Sequence, residues 1–263
     1  MKLMRIGDRG RERPVVRIDD ESYVEVWDVV GDFDGDYFES GHLDRLQRAV
    51  SIRVSRGLTH RFSGERVGCP VARPMQAVRF SPRLGTDPDD AIKSSHAVTG
   101  GDDEPSLSAS ATGGAALGVV LSRRASRLES DDEARARIIG FTLVGDFADE
   151  SESPLWSSTT PTGPWLVTAD EFAGVEDLGM WLEVNGVRRG VTTLGAELLD
   201  PYSAVRRLSQ HMVLEAGDLI TLSPSSAGAV LACEPGDEVR VGIDVLGAQW
   251  RRVVALSRQL VWV

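Results

Sequence analysis

Hydrophobic and polar positions alternate along the first part of the chain in the manner of short β-strands. The alternating segments are residues 4–6, 14–18 and 23–27. A period of two places every second side chain on one face of a strand, where it can pack into a core. The acidic, glycine-containing segment 28–36 predicts a turn, and the apolar spacing of 43–54 predicts an amphipathic helix. Residues 1–70 are therefore predicted to form a small α+β domain.

Strand signals dominate the remainder of the chain, residues 71–263, which we predict to form a second and larger domain. Residues 117–121 are a continuous apolar run, typical of a strand that is buried on both faces, and residues 141–144 predict the next strand. Between these strands, Ser130 is a candidate helix N-cap and Glu133 would complete a capping box. A helix is therefore predicted from this point through residue 139.

Turn signals divide the second domain into short elements. Residues 81–105 are rich in Pro, Gly, Asp and Ser and predict a loop, and residues 106–116 are small and low in complexity. Asn185-Gly186 predicts a hairpin turn. Further predicted elements are a helix over 201–211, two Gly-Asp turns with strands within 214–220 and 233–239, and closing strands at 239–243 and 253–263.

Composition excludes some classes of function. The chain has 263 residues, 41% hydrophobic residues and a net charge of −11. A negative field opposes binding to phosphate backbones, so we expect no nucleic-acid partner. The sequence contains no apolar run of membrane-spanning length and no secretory signal, so we expect a cytoplasmic protein without a membrane partner. Lysine occurs only at Lys2 and Lys93 while arginine is abundant, a bias typical of a GC-rich actinobacterial genome.

The second half of the chain contains motifs in a distinctive order. They are Gly-Phe-Thr-Leu-Val-Gly-Asp146, Gly-Pro-Trp165-Leu-Val-Thr, Leu-Glu-Val-Asn-Gly-Val-Arg-Arg189, Asp-Pro-Tyr202 and Leu-Glu-Ala-Gly-Asp-Leu-Ile220. This order resembles the fumarylacetoacetate hydrolase family. The resemblance implies an α+β, mainly β fold, namely a mixed β-sandwich roll behind a small N-terminal α+β domain. It also implies a homodimer that acts on a small-molecule substrate.

The resemblance places a metal site around Asp146. In the family, two glutamates spaced Glu-x-Glu complete an Mg²⁺ or Mn²⁺ site with this aspartate, and the metal stabilises an enolate. Here the two glutamate positions are Gly114 and Ala116, whose side chains cannot bind a metal. We therefore predict no metal and no other cofactor.

Candidate site residues follow from the same correspondence. Lys93-Ser-Ser-His96 matches a family loop near the cavity, and Ser223 keeps one hydroxyl of the family's Thr-Gly-Thr-Pro turn. The candidate catalytic residues are Lys93, His96, Asp146 and Ser223, and the candidate substrate-binding residues are Arg79, Arg83, Trp156, Thr160 and Thr221. Each also has a simpler interpretation, as a solvated charge on a loop or as a side chain in the core.

Three functions remain open. The first is a metal-independent enzyme, most simply a cyclase on a polyketide-derived β-dicarbonyl or tetronate-like substrate, which works by orientation and hydrogen-bond polarisation. The second is a non-catalytic binding or scaffold protein. The third is a residual hydrolase, decarboxylase or isomerase with a rebuilt metal site.

Overall fold

The computed structural model describes residues 1–80, 92–103, 106–107, 111–148, 160–172, 174, 177–197, 200–223 and 230–255. Its strands are β1 Lys2–Ile6, β2 Arg13–Arg17, β3 Ser22–Glu25, β4 His60–Arg61, β5 Ala77–Phe80, β6 Ile92–Lys93, β7 Val98–Gly100, β8 Ser106–Leu107, β9 Ala111–Leu121, β10 Ile138–Ala148, β11 Thr160–Thr168, β12 Gly179–Val184, β13 Val187–Thr193, β14 Leu219–Leu222, β15 Val230–Cys233, β16 Glu238–Ile243, β17 Gly247–Arg252 and β18 Val254–Ala255. Its helices are α1 Trp27–Val30, α2 Gly35–Ser40, α3 Leu43–Ser55, α4 Asp131–Arg135, α5 Leu194–Glu197 and α6 Pro201–Leu208.

A long mixed sheet runs through the described part of the chain. Its strand order is β4-β3-β2-β1-β11-β10-β9-β14-β5-β6, with β15 beside β9 and β7 beside β11. The N-terminal strands join it through an antiparallel pairing of β1 with β11, in which Leu3 lies opposite Leu166. β9 and β10 pair along most of their length, and this register sets Asp146 opposite Gly114.

A second sheet, in the order β13-β12-β16-β17, covers one face of the long sheet. The main core lies between the two sheets and is closed at the side by α6. Its fully buried side chains include Leu117, Val119, Leu143, Met180, Leu182, Val205 and Val241. On β9 and β10 these residues alternate with ones that face the opposite side of the long sheet, as the period of two requires.

The opposite face of the long sheet packs against the N-terminal helices. Ala116, Val120 and Leu219 on this face share a buried cluster with Phe33 and Phe38. The apolar cluster covers only one end of the face. Toward the other end the same face bears polar and charged side chains. The second core and the candidate site therefore lie on one face of the long sheet.

Several predicted elements are confirmed. α3 follows the predicted apolar spacing and buries Leu46 and Val50. Asn185 and Gly186 have φ of 50° and 77° and connect β12 to β13, as expected for a two-residue hairpin turn. The α+β, mainly β fold class is also confirmed. No helix in the described segments is long and apolar enough to cross a membrane.

Two predictions about local structure are wrong. Ser130 does cap a helix, since its Oγ accepts from Glu133 N, but α4 ends at Arg135 and Ile138 already begins β10. Burial explains this, because Ile138 lies in the core beside β9 and pairing with β9 outweighs helix propensity. The expected loop 81–105 contains β6 and β7 within its described part, and the low-complexity segment enters β9 at residue 111. β7 pairs with β11, which is distant in sequence, and β6 pairs with β5 across the intervening segment, so local composition misses both.

Candidate active site

The candidate site lies on the long sheet where β10, β9, β14 and β5 run side by side. Asp146 is on β10, Ser223 directly follows β14, and Arg79 is on β5. Strands two apart in a sheet are separated by about 9.5 Å, so side chains meet across the middle strand only where that strand bears small residues. β9 supplies Gly114 and Ala116 at this level. Gly114 and Ala116 stand where the family has glutamates. Because they are small, the side chains of the strands on either side of β9 can touch.

Asp146 is the centre of the resulting cluster. Its Oδ2 accepts a hydrogen bond from Ser223 Oγ at 2.9 Å. The same oxygen forms an ion pair with Arg79, whose Nε is 3.0 Å away. Its Oδ1 accepts from Lys93 Nζ, which also donates to Thr160 Oγ1 at 3.2 Å. Lys93 and Asp146 are buried, with 6% and 9% of their surfaces exposed, whereas 38% of the Arg79 side chain is exposed. Arg79 is thus the solvent-facing member of the cluster.

Two cations determine the electrostatics of this site. Burial by itself raises the pKa of Asp146, but attraction by Lys93 and Arg79 and hydrogen bonds from Lys93 and Ser223 outweigh it and leave the pKa below its usual value. Asp146 is therefore ionised near neutral pH. Counted over the described residues, one carboxylate then faces two cations, which leaves the cluster with a net charge of +1.

Thr221 adds an unused hydroxyl to the same face. It lies beside Arg79 in the parallel pairing of β14 with β5, two residues before Ser223. Its side chain is 1% exposed, and its Oγ1 has no hydrogen-bond partner among the described residues. An unpaired buried hydroxyl costs about 1–3 kcal/mol. A bound ligand that paired with this group would recover that cost.

The described residues around Asp146 do not form a site for a divalent cation. Opposite Asp146, Gly114 and Ala116 offer no side-chain oxygen. Both carboxylate oxygens of Asp146 are taken by protein donors, two of which are positively charged. No group of three or more His, Cys, Asp or Glu side chains in the described segments could hold a metal. A hard cation needs several anionic oxygens, so this donor set does not suit it.

The structure brings together six of the nine predicted site residues. The six are Lys93, Asp146, Ser223, Arg79, Thr160 and Thr221. His96 is exposed on a 3₁₀ turn and lines a cleft of about 360 Å³, none of whose lining residues belongs to this cluster. Arg83 and Trp156 lie outside the described residues. All nine roles remain predictions.

Sequence reasoning missed two polar residues behind the cluster. Gln249 and Arg251 alternate along β17, and both side chains are buried. A signal was available, since two polar residues recur with a period of two within 247–252, a segment for which the sequence predicted no strand. Hydrophobicity alone would favour burying Trp250, which lies between them and faces the other way, yet Trp250 is exposed.

Comparison with known proteins identifies the family. The family model for the C-terminal part of fumarylacetoacetate (FAA) hydrolase matches residues 71–254. The chain therefore belongs to the FAA hydrolase family, whose relatives described below are enzymes that act on small molecules.

The relatives match the chain over nearly its whole length. The 2,4-didehydro-3-deoxy-L-rhamnonate hydrolase of a Sphingomonas strain is 27% identical, with 96% of each chain covered. Maleylpyruvate hydrolase from Sphingobium, solved with manganese(II) and pyruvate, has a TM-score of 0.81 at 20% identity and covers 97% of this chain and 99% of its own. A 2-hydroxyhepta-2,4-diene-1,7-dioate isomerase from Mycobacterium marinum has a TM-score of 0.71 at 21% identity and covers 98% of this chain and 100% of its own. The structural likenesses establish the fold.

Proposed function

We propose that this protein is a metal-independent enzyme that binds the enolate of a β-dicarbonyl compound and catalyses ring formation. The observation that supports this proposal is the charge of the cluster at Asp146. Lys93 and Arg79 outnumber the single carboxylate, at the place where the family resemblance implies a metal. The proposed substrate headgroup is tetronate-like, on a chain of polyketide origin.

The surplus positive charge favours an anionic ligand. A charge held in a partly buried site interacts several times more strongly than one in water. An enolised 1,3-dicarbonyl presents two coplanar oxygens that share one negative charge, which a guanidinium can bind in a forked geometry. In the proposed complex, the solvent-facing guanidinium of Arg79 contacts the enolate and Thr221 Oγ1 donates a further hydrogen bond, while Ser223 Oγ still donates to Asp146.

Within the part of the chain that the structure describes, the groups near the cluster that could activate water are already engaged, which favours ring formation over hydrolysis. Hydrolysis needs a group that activates water. Asp146 is ionised but already accepts from Lys93, Arg79 and Ser223, and His96 lines a different cleft. Charge stabilisation and orientation remain available, and these suffice for a reaction in which bonds form within one bound molecule. Ring closure of this kind adds and removes no atoms.

The relatives favour a second candidate. They are named as hydrolases and an isomerase, and one of them was solved with manganese(II) and pyruvate. Under this alternative the protein cleaves or isomerises a 2-oxo acid with a rebuilt metal site. The acidic residues of segment 149–152, which lie outside the described residues, would then supply ligands. A non-catalytic binding or scaffold role is the third possibility.

One parallel assay separates these functions. Purified protein is incubated with a linear polyene bearing a 3-acyltetronate headgroup, and separately with maleylpyruvate, each in EDTA and in Mn²⁺. We expect a cyclic isomer from the tetronate in EDTA, loss of that activity in Lys93→Met, and retention in Lys2→Met, the variant of the only other lysine. Cleavage of maleylpyruvate in Mn²⁺ alone would establish the second candidate. No turnover of either compound would favour the scaffold role.

The predicted homodimer and cytoplasmic location also remain proposals. Light scattering coupled to size exclusion at micromolar concentration measures the first, and a dimer mass is the expected result. A monomer across the accessible concentration range would contradict it.

A further inference from the structure

Gln249 and Arg251 form a buried polar bridge between the two sheets. Gln249 Nε2 donates to the carbonyl oxygens of Leu143, Pro161 and Gly163, at 3.3, 3.1 and 2.6 Å. Gln249 Oε1 accepts from Arg251 Nη2. The two amide hydrogens of one side chain of the small sheet are thereby shared among three carbonyls on β10 and β11 of the long sheet.

Arg251 extends the bridge to the segment that follows β7. Its Nη1 donates to the carbonyl of Asp103 at 2.7 Å, and its Nη2 donates to that of Gly101 at 2.9 Å. The side chain is about as buried as any in the core, at 2% exposed. Its hydrogen bonds within the described residues go to neutral oxygens, and its Nε has no partner there.

Burying this guanidinium is costly. Burial lowers the pKa of Arg251 to about 9, with partial compensation by Asp102 and Asp103. A well-packed apolar side chain commonly gives equal or greater stability at such a position. A cost of this kind is expected where a residue fixes the geometry of a functional site.

The bridge holds both segments that meet at Lys93. The first is the start of β11, where Thr160 accepts from Lys93 Nζ and the next carbonyl, that of Pro161, is bound by Gln249. The second is the chain that follows Lys93, which pairs in parallel with β11 through β7 and then reaches Gly101, bound by Arg251. Gln249 thus holds the backbone beside Thr160, and Arg251 holds the chain that follows Lys93, so the two side chains restrain both partners of the Lys93–Thr160 contact.

We infer that Gln249 and Arg251 are positioning residues that set the distance between Lys93 and the Asp146–Thr160 pair. The bridge contacts neither Lys93 nor Asp146 directly and acts through the backbone of β11 and of residues 101–103. Its consequence for catalysis rests on the proposed function. Its consequence for the geometry of Lys93 does not.

The two lysines of the chain make this inference directly measurable. Protein labelled with ¹⁵N and ¹³C in lysine alone gives two sets of side-chain signals, one from Lys93 and one from half-buried Lys2, whose Nζ lies 4.9 Å from the centre of the Trp165 ring and which serves as an internal reference. In Gln249→Met and Arg251→Met we expect hydrogen exchange of the Lys93 ammonium to accelerate about tenfold or more, because loss of buried hydrogen bonds loosens the contact. The Lys93 signal should also shift while that of Lys2 stays in place.

Conservative and distant variants separate positioning from general destabilisation. Arg251→Lys keeps a cation that can reach a carbonyl, so it should restore most of the native Lys93 signal. Ser209→Ala removes a buried hydroxyl that bonds Leu128 N and Arg206 O and no residue of the cluster, so it should lower stability but leave the Lys93 signal unchanged. If Arg251→Met is insoluble, Gln249→Glu, which keeps the acceptor for Arg251 and loses the donor to β11, decides the matter.

An unchanged Lys93 signal in the folded Gln249 and Arg251 variants would overturn the inference, as would an equal change in Ser209→Ala. A displaced Lys93 signal in a protein that never converts the tetronate substrate would keep the positioning role and remove the proposed function. Conversion by the parent protein together with an unmoved Lys93 signal in the variants would keep the proposed function and remove the positioning role.

Discussion

Replacement of Lys93 by Met is the sharpest test of the cluster at Asp146. Met keeps most of the aliphatic length of lysine and removes the charge and the donors. In the variant, buried Asp146 loses its most strongly attracting cation but keeps Arg79 and Ser223. Removing one partner of a fully buried pair costs about 3–5 kcal/mol. Because two donors remain, we expect a smaller loss than this range, about 2–3 kcal/mol of unfolding free energy.

A double-mutant cycle isolates the pairwise part of that loss. The free energy of unfolding is measured by urea titration at pH 7 for the parent, Lys93→Met, Asp146→Asn and the double variant. The double variant has no unpaired carboxylate, so it should be less destabilised than the sum of the single variants, with a coupling of about 1–3 kcal/mol. Lys2→Met is the matched control and should lower stability by no more than about 1 kcal/mol, because Lys2 is half-buried and makes a cation–π contact with Trp165.

Two outcomes would refute this reasoning. One is a Lys93→Met variant that is no less stable than Lys2→Met. The other is strict additivity in the cycle, since residues in direct contact are expected to couple. Either result would mean that Lys93 and Asp146 do not form the buried ion pair, and the proposed anion site would lose its main support.

Three further predictions concern the same centre. Since the pKa of Asp146 is lowered on folding, its stabilising contribution should be complete above the unfolded value near ~3.9 and lost as pH falls through the folded value; the difference in stability between the parent and Asp146→Asn should therefore shrink below about pH 4 in acid titrations, and a constant difference would contradict this. The triple variant Gly114→Glu, Ala116→Glu, Lys93→Met should gain Mn²⁺ binding by calorimetry, because it presents three carboxylates without the competing ammonium, while Lys93→Met alone should not. Thr221→Val should raise the unfolding free energy by about 1 kcal/mol, because it removes an unpaired buried hydroxyl, and should weaken binding of 3-acetyltetronate; a destabilised variant would show that the hydroxyl has a partner.

Local sequence determined the elements whose hydrogen bonds and turns are themselves local. The amphipathic spacing of α3, the N-cap at Ser130 and the Asn185-Gly186 hairpin each depend on residues a few positions apart. The family resemblance placed Asp146 beside two missing glutamates, and the strand register confirms that Gly114 lies opposite it. Such features are fixed by backbone sterics and by side chains within one turn or one pair of strands.

Tertiary structure alone decided which charges meet and which face of a strand is inside. Lys93 and Asp146 are 53 positions apart, and Ser223 follows Asp146 by 77, so no local pattern links them. The face of β17 was equally undetermined, because Trp250 is half exposed while Arg251 is buried. Apolar burial would favour the other register, but three carbonyls of the long sheet and two of the segment after β7 need donors. Unpaired buried carbonyls cost more than an exposed indole, so this requirement, visible only in the folded chain, sets the register.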